Sequence, residues 1–522
     1  MSHGIVTPGA TFAERSRAAL ADPELQGALT NLHRRLDTAR AVAETSPELK
    51  DRASSIRREV LADLDGWLDR LAASLERVGA VVHRASTPEE ARSVVVALAR
   101  ERGVSTVVKS KSMATEEIDL ADALERADIE TIETDLGEYI VQVADERPSH
   151  MITPAIHKTL DTIAEVLTTR ADGPLPTDRE ALAAWTHDHL RPAFLRAEMG
   201  ISGVNFAAAD TGTITIVTNE GNGRLCTSWP RTHVAVMPVE KVIPRLVDLA
   251  TLLPLLTRSA TGQAMSNYLS MITGPRRDDE MDGPDELHVV FLDNNRRALV
   301  GTAYEDMLAC IRCGACLNVC PVYRRVSGHA YGAVYSGPMG KVLTPLLSQG
   351  AEGRELPHAS SLCGACTEAC PVEIPLADLL VRLRADLREP GVLRPAPIAT
   401  GGSSSPESTG HRLPGEGFAT RAAAAPLVPQ GAHRKVGLSF AHLSFAHLSF
   451  AHLAFATWSR VWASPGGYRA TSALGRLTKG RWARRLPGLT GWTRTRDLPL
   501  PAARSFRERW AERTNDPETR SW

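Results

Sequence analysis

Two cysteine runs constrain this chain more than any other feature. The first is Cys310-Ile-Arg-Cys313-Gly-Ala-Cys316-Leu-Asn-Val-Cys320-Pro321; the second, further along, is Cys363-Gly-Ala-Cys366-Thr-Glu-Ala-Cys370-Pro371. Three thiolates at i, i+3 and i+6 can wrap one cubane iron-sulfur cluster from a single tight loop. A fourth, three or four residues on and followed by proline, points out of that loop and reaches a second cluster. The two runs are therefore expected to exchange their last cysteines. Cys310, Cys313, Cys316 and Cys370 then hold one cluster, and Cys320, Cys363 and Cys366 the other. The second run has Ser360 where the first has Cys310. Four readings of that shortfall stand: a three-iron cluster, a hydroxyl ligand from Ser360, a thiolate from elsewhere, or an iron left open to a ligand. Zinc at tetrahedral spacing leaves three of these seven thiols unexplained.

The remaining cysteine, Cys226, is a candidate for the missing thiolate, although an isolated cysteine more often packs as a small apolar residue. Thiols kept for metal imply a reducing compartment, since a secreted chain spends them on bridges. Charge is nearly balanced, 60 Lys plus Arg against 61 Asp plus Glu, which gives no whole-chain pull toward nucleic acid. The opening MSHGIVTPGATFAERSRAAL lacks a basic-then-apolar signal pattern, and no apolar run reaches a bilayer-spanning length. A cytoplasmic location is expected, with membrane association only through a partner.

At 522 residues several domains are expected. Residues 1–74 read as a helical arm suited to docking or dimerisation, with Leu61, Leu64, Trp67, Leu68 and Leu71 at helical spacing. Residues 75–295 alternate strands and helices, the pattern of a parallel α/β domain. The strands are expected at Ala80–His83, Thr106–Lys109, Ile129–Glu133, Thr213–Thr218, His233–Met237 and Leu287–Leu292. Helices are expected at Thr87–Arg102, Ala114–Ala127, 156–168, 178–196 and 241–257. Residues 296–390 read as an α-helical ferredoxin-like two-cluster domain, because the cysteines flank helices with no strand between them. Pro, Gly and Ser mark 391–434 as a flexible linker. Residues 435–522, with three copies of Leu-Ser-Phe-Ala-His ending at His442, His447 and His452 and a basic, Trp-bearing end, read as a docking tail.

Two loops of the α/β region suggest a small-acid site. Lys109 and Lys111 follow a strand, where open α/β sheets place their ligands. Asp210, Glu220, Asn222 and Arg224 border a glycine-flanked strand, and Arg224 suits a two-point carboxylate clamp. Neither glycine run matches a dinucleotide or phosphate-loop fingerprint. Catalytic residues are not identifiable.

The seven-cysteine pair of runs, the Asn219-Glu220-Gly221-Asn222-Gly223-Arg224 loop and the tail Leu486-Pro487-Gly488-Leu489-Thr490-Gly491-Trp492-Thr493 with Arg496-Asp497-Leu498-Pro499 resemble the lactate utilization protein B family. That family is the iron-sulfur subunit of a three-protein L-lactate oxidation system. The resemblance implies two [4Fe-4S] clusters on the seven cysteines named above, the second with three cysteine ligands. It implies an α/β domain of the LUD type and companion A-type and C-type subunits, with the final electron acceptor unnamed. It also implies a non-flavin electron-transfer role in oxidising L-lactate to pyruvate, allowing growth on lactate. The competing reading is a redox-responsive module that binds a small acid, or a scaffold. The His-bearing repeat and the long linker depart from the family pattern.

Overall fold

The structure, a computed structural model, describes residues 9–388 except 43, 44 and 267, and these lie in one compact unit. The expected linker, repeat and docking tail lie outside the described residues. Side-chain caps divide the N-terminal helical region into four helices: α1 (Phe12–Ala21), α2 (Pro23–Val42), α3 (Pro47–Ala62) and α4 (Leu64–Arg77). Thr11 closes a capping box with Glu14, Ser46 accepts from the Leu49 N–H, and Asp63 accepts from the Gly66 N–H. The apolar faces of these helices are spent inside the molecule. Leu25, Leu29 and Ile56 join the core beneath the cysteines, and Leu64, Leu68, Leu71 and Leu75 cover one face of a sheet.

The alternating region continues as β1 (Val81–Ala85), α5 (Pro88–Glu101), β2 (Thr106–Lys109), α6 (Met113–Glu117), α7 (Leu120–Glu125), β3 (Glu130–Glu133), α8 (Leu136–Val143), α9 (Leu160–Thr168), α10 (Arg179–Arg196) and β4 (Met199–Gly203). Next come β5 (Phe206–Ala208), β6 (Thr213–Thr218), α11 (Asn222–Ser228), β7 (Thr232–Pro238), β8 (Val242–Ile243), α12 (Leu249–Thr261), β9 (Tyr268–Ile272) and β10 (Glu286–Leu292). Six strands form one sheet in the order β1-β10-β7-β4-β2-β3, with every pairing parallel. Successive residues of its central strands serve opposite cores. Ala235 and Met237 face α4, whereas Val234 and Val236 pack with Val95 and Leu98 of α5, as a sheet covered on both faces requires.

Three expectations are corrected. The helix expected over Ala114–Ala127 breaks at Asp119, whose φ of 46° is left-handed, so α6 and α7 are separate. The helix expected at 241–257 begins only at Leu249, because Val242 and Ile243 pair with β5. Thr213–Thr218 is a strand, but it belongs to a second, mixed sheet of order β8-β5-β6-β9.

The cysteine module carries short helices: α13 (Ala315–Val319), α14 (Tyr323–Val326), α15 (Gly337–Leu347), α16 (Ala365–Glu368) and α17 (Leu376–Asp386). No strand occurs among its described residues. Its core takes in Phe206 and Ile243 of the second sheet and Leu252 and Leu255 of α12. No helix of the described residues is long and apolar enough to cross a membrane.

Candidate metal centre

Each cysteine run folds as a tight loop leading into a short helix. In the first, Arg312 (φ 61°) and Gly314 (φ 76°) adopt left-handed backbone around Cys313, and α13 starts at the next residue. In the second, Leu362 (φ 55°) and Gly364 (φ 82°) do the same around Cys363 before α16. Backbone N–H groups point at sulfur within the first loop and just past the last cysteine of each run. Cys310 Sγ accepts from the Arg312 N–H at 3.4 Å, Cys320 Sγ from the Tyr323 N–H at 3.5 Å, and Cys370 Sγ from the Ile374 N–H at 3.3 Å.

The seven sulfurs fall into two neighbour groups. Cys316 feels Cys310, Cys313 and Cys370, and these four line one small pocket floored by Met339 and Ile374. Cys366 feels Cys320 and Cys363. None of the cysteines is in a disulfide. The first group is largely buried, whereas Cys363 of the second is exposed. Tyr323 and Tyr331, with rings 5.9 Å apart, neighbour both Cys316 and Cys320.

The chemistry of this donor set suits a cluster. Burial, and then the nearby Cys310 and Cys313, push the Cys316 thiol well above its usual range; burial and Cys320 push Cys366 up to about 11. A thiol so reluctant to ionise becomes a thiolate when a metal replaces its proton. Among the described residues no three His, Cys, Asp or Glu side chains converge as they would on a single ion. Thiolates around a cage each bind a different metal atom and need no such convergence.

Cations that the sequence did not single out surround these sulfurs. Lys341, fully buried on α15, places Nζ 3.5 Å from Cys320 Sγ and 5.5 Å from the Tyr331 ring centre. Arg312 pairs with the buried Glu240 at 2.7 Å and lies over Tyr335. Arg296 stands 2.7 Å from Glu240, out of line for a hydrogen bond, and 2.5 Å from Glu117. Burial, and then Arg312, lower Lys241 to about 7. Arg57 of α3, fully buried, donates to the carbonyls of Leu308 and Ala309 just before Cys310 and to those of Glu240 and Val242. Composition could not have flagged these residues, because buried and solvated cations look alike in a list of 60.

The six residues expected to bind a small acid do not meet in one place. Lys109 is fully buried, 2.8 Å from Glu116 and 2.5 Å from Glu133; burial opposes its charge, but the two carboxylates prevail and neutralise it. Lys111 donates to the Ile152 carbonyl at 3.0 Å and neighbours Asp135. Glu220 also lies by Asp135, and Asn222 reaches Thr134, so Lys111, Glu220 and Asn222 do share a neighbourhood. Arg224 lies over Tyr268 and donates to the Leu269 carbonyl. Asp210, beyond the other end of β6, accepts from the Leu246 N–H. A cleft of about 1040 Å³ opens instead between this region and the cysteine module, lined by Glu133, Glu138, Glu146, His150 and His329 among others. Lys109 does not line this cleft, and burial raises Glu133 to about 7 and Glu138 well above the carboxylate range.

A doubly covered parallel sheet joined to a strand-free module of paired cysteine loops defines an iron-sulfur protein with an α/β partner domain. Family descriptions agree: a LUD domain matches residues 68–292, a 4Fe-4S dicluster domain residues 306–374, and a lactate utilisation protein B C-terminal domain residues 426–515. Lactate utilization protein B of Bacillus subtilis (strain 168) is 38% identical over 515 residues, 98% of each chain. The protein of that name from Bacillus velezensis is 45% identical over 73% of this chain and 81% of its own. A relative from Escherichia coli (strain K12), named an uncharacterized electron transport protein, YkgF, is 43% identical over 74% of this chain and 82% of its own. The chain belongs to the lactate utilization protein B family.

Proposed function

We propose that this chain is the iron-sulfur electron-transfer subunit of a complex that oxidises L-lactate to pyruvate. The observation that carries this reading is the small pocket lined together by Cys310, Cys313 and Cys316 of the first run and Cys370 of the second, in a chain of this family. Cys310, Cys313, Cys316 and Cys370 would hold one [4Fe-4S] cluster, and Cys320, Cys363 and Cys366 would supply the thiolates of a second. Lactate gives up two electrons and two protons in becoming pyruvate; clusters, when bound, supply one-electron carriers, so a pair divides the flow. The chain's own residues set the terms of that transfer. Backbone N–H groups at Arg312, Tyr323 and Ile374 favour added negative charge on their sulfurs, and burial of the first group keeps water out. Exposed Cys363 puts the second group where a partner can approach.

Companion A-type and C-type subunits complete the system on this reading, and the step that breaks the lactate C–H bond belongs to the complex. Assembly is cytoplasmic, with any membrane contact made through a partner. The rival small-acid module loses support from the pairing of Lys109 with Glu116 and Glu133. The test is anaerobic purification with the companions followed by addition of L-lactate. Visible cluster absorbance should bleach with lactate and recover with an oxidant; colour that persists under excess lactate rejects the relay.

A further inference from the structure

We infer that Ser360 is the eighth ligand, its Oγ binding the iron of the second cluster that no cysteine reaches; this rests on the two-cluster reading above. The two loops are superimposable in kind, position by position. Ser360 precedes Cys366 by the same six residues that separate Cys310 from Cys316. Both loops place left-handed residues immediately before and after the middle cysteine, at Arg312 and Gly314 and at Leu362 and Gly364. Both then enter a helix at the next alanine, Ala315 or Ala365. The side chain at the first position makes the same local contact in each. Cys310 Sγ accepts from the N–H two residues on at 3.4 Å, and Ser360 Oγ accepts from the Leu362 N–H at 3.2 Å. Arg384 pins the backbone of the second loop through the carbonyls of Pro357 and Ser360, each at 2.9 Å.

A thiolate from elsewhere is ruled out on geometry. The chain has eight cysteines, and the one outside the runs, Cys226, is fully buried in the α/β region against Thr134 Oγ1 at 3.2 Å, in a different core. A serine oxygen is a harder donor than a thiolate and favours the more oxidised iron. On binding, the O–H proton passes to solvent and an Fe–O bond forms, with no change in the oxidation state of iron.

The experiment compares the anaerobically prepared full chain with S360A and S360C by iron and sulfide content, electron paramagnetic resonance and redox titration. With Ser360 as ligand, S360A loses about one iron per chain and acquires a three-iron signal in the oxidised state, while the signal of the four-cysteine cluster stays unchanged as an internal check on folding. S360C keeps all its iron, and its second cluster titrates at a higher potential than in the parent. The proposal is overturned if S360A matches the parent in iron content, spectrum and potential. It is equally overturned if the parent itself shows the three-iron signal. Should S360A fail to fold, S360C decides: a potential and spectrum indistinguishable from the parent count against the oxygen ligand. A parent chain that binds no iron sinks the two-cluster reading itself, which is a separate outcome.

Discussion

Lys341 Nζ lies where water does not reach, 3.5 Å from Cys320 Sγ. Reduction adds negative charge to a cluster, so a buried ammonium beside one of its ligands stabilises the reduced form. If Cys320 ligates a cluster as proposed, Lys341→Met should lower that cluster's potential by on the order of 100 mV, taking an effective dielectric near 20. Redox titration followed by electron paramagnetic resonance reads this directly, and an unchanged potential would show that the charge is compensated. His150 tests a different kind of burial. Its Nδ1 accepts from the Ile152 and Thr153 N–H groups at 3.0 and 3.2 Å, so a proton there would break both bonds. Burial, and then His33 and Lys111, lower its pKa to about 3. The unfolded chain takes up this proton near pH ~6.5 while the folded chain does not. The contribution of His150 to stability is therefore full above that pH and falls by about 1.4 kcal/mol per unit as pH drops toward 3. Anaerobic urea midpoints should fall less between about pH 8 and about pH 5.5 in His150→Asn, which keeps an acceptor and cannot titrate. The cysteines were legible from spacing; neither Lys341 nor the burial of His150 was, because each depends on what other segments bring alongside.

At the scale of elements, α3 does more than fill space. Its Arg57 satisfies four carbonyls: two just before the first cysteine loop, and those of Glu240 and Val242 at the edge of the second sheet. Arg57→Met would leave those acceptors buried and the neighbouring Glu240 less compensated, a loss of roughly 3–5 kcal/mol by the usual cost of breaking a buried charged network. Chemical denaturation of the cluster-loaded chain measures it, and a change under 1 kcal/mol would assign the role to packing alone. The helix α5 was plain in the sequence, since Thr87 caps it and glutamates fill its first turn. Strand β4 was not. Met199-Gly-Ile-Ser-Gly203 has weak strand propensity and is held by β2 and β7 on either side. Gly200 is required there by a neighbour distant in sequence: a Cβ would come 1.8 Å from the Cys226 carbonyl oxygen of α11. Short strands such as β5 and β8 form because partners present matching edges, a condition no local pattern encodes.

Across the whole molecule, the cysteine module and the α/β region are built around shared contacts. Leu25, Leu29 and Ile56 from the first helices, Phe206 and Ile243 from the second sheet, and Leu252 from α12 all enter the core that holds the cysteines. Ser149 and Ser327 hydroxyls meet at 2.9 Å across the junction, and a Cβ on Gly328 would stand 1.9 Å from the Ser149 carbonyl oxygen. A fragment limited to residues 296–388 should therefore lack a cooperative unfolding transition, while the full chain loses cluster colour and sheet structure together. Circular dichroism and visible absorbance along one denaturant series check this; a fragment with a sharp transition of its own would show the module to be autonomous. By itself the sequence determined the number and spacing of thiols, hence the metal chemistry, and the strand-helix alternation, hence a covered parallel sheet, because both are properties of neighbours along the chain. Tertiary structure alone decided which cysteines stand together, which cations face them, and that Lys109 is already neutralised. Those outcomes depend on packing between segments far apart in the chain, where distance in sequence says nothing about distance in space.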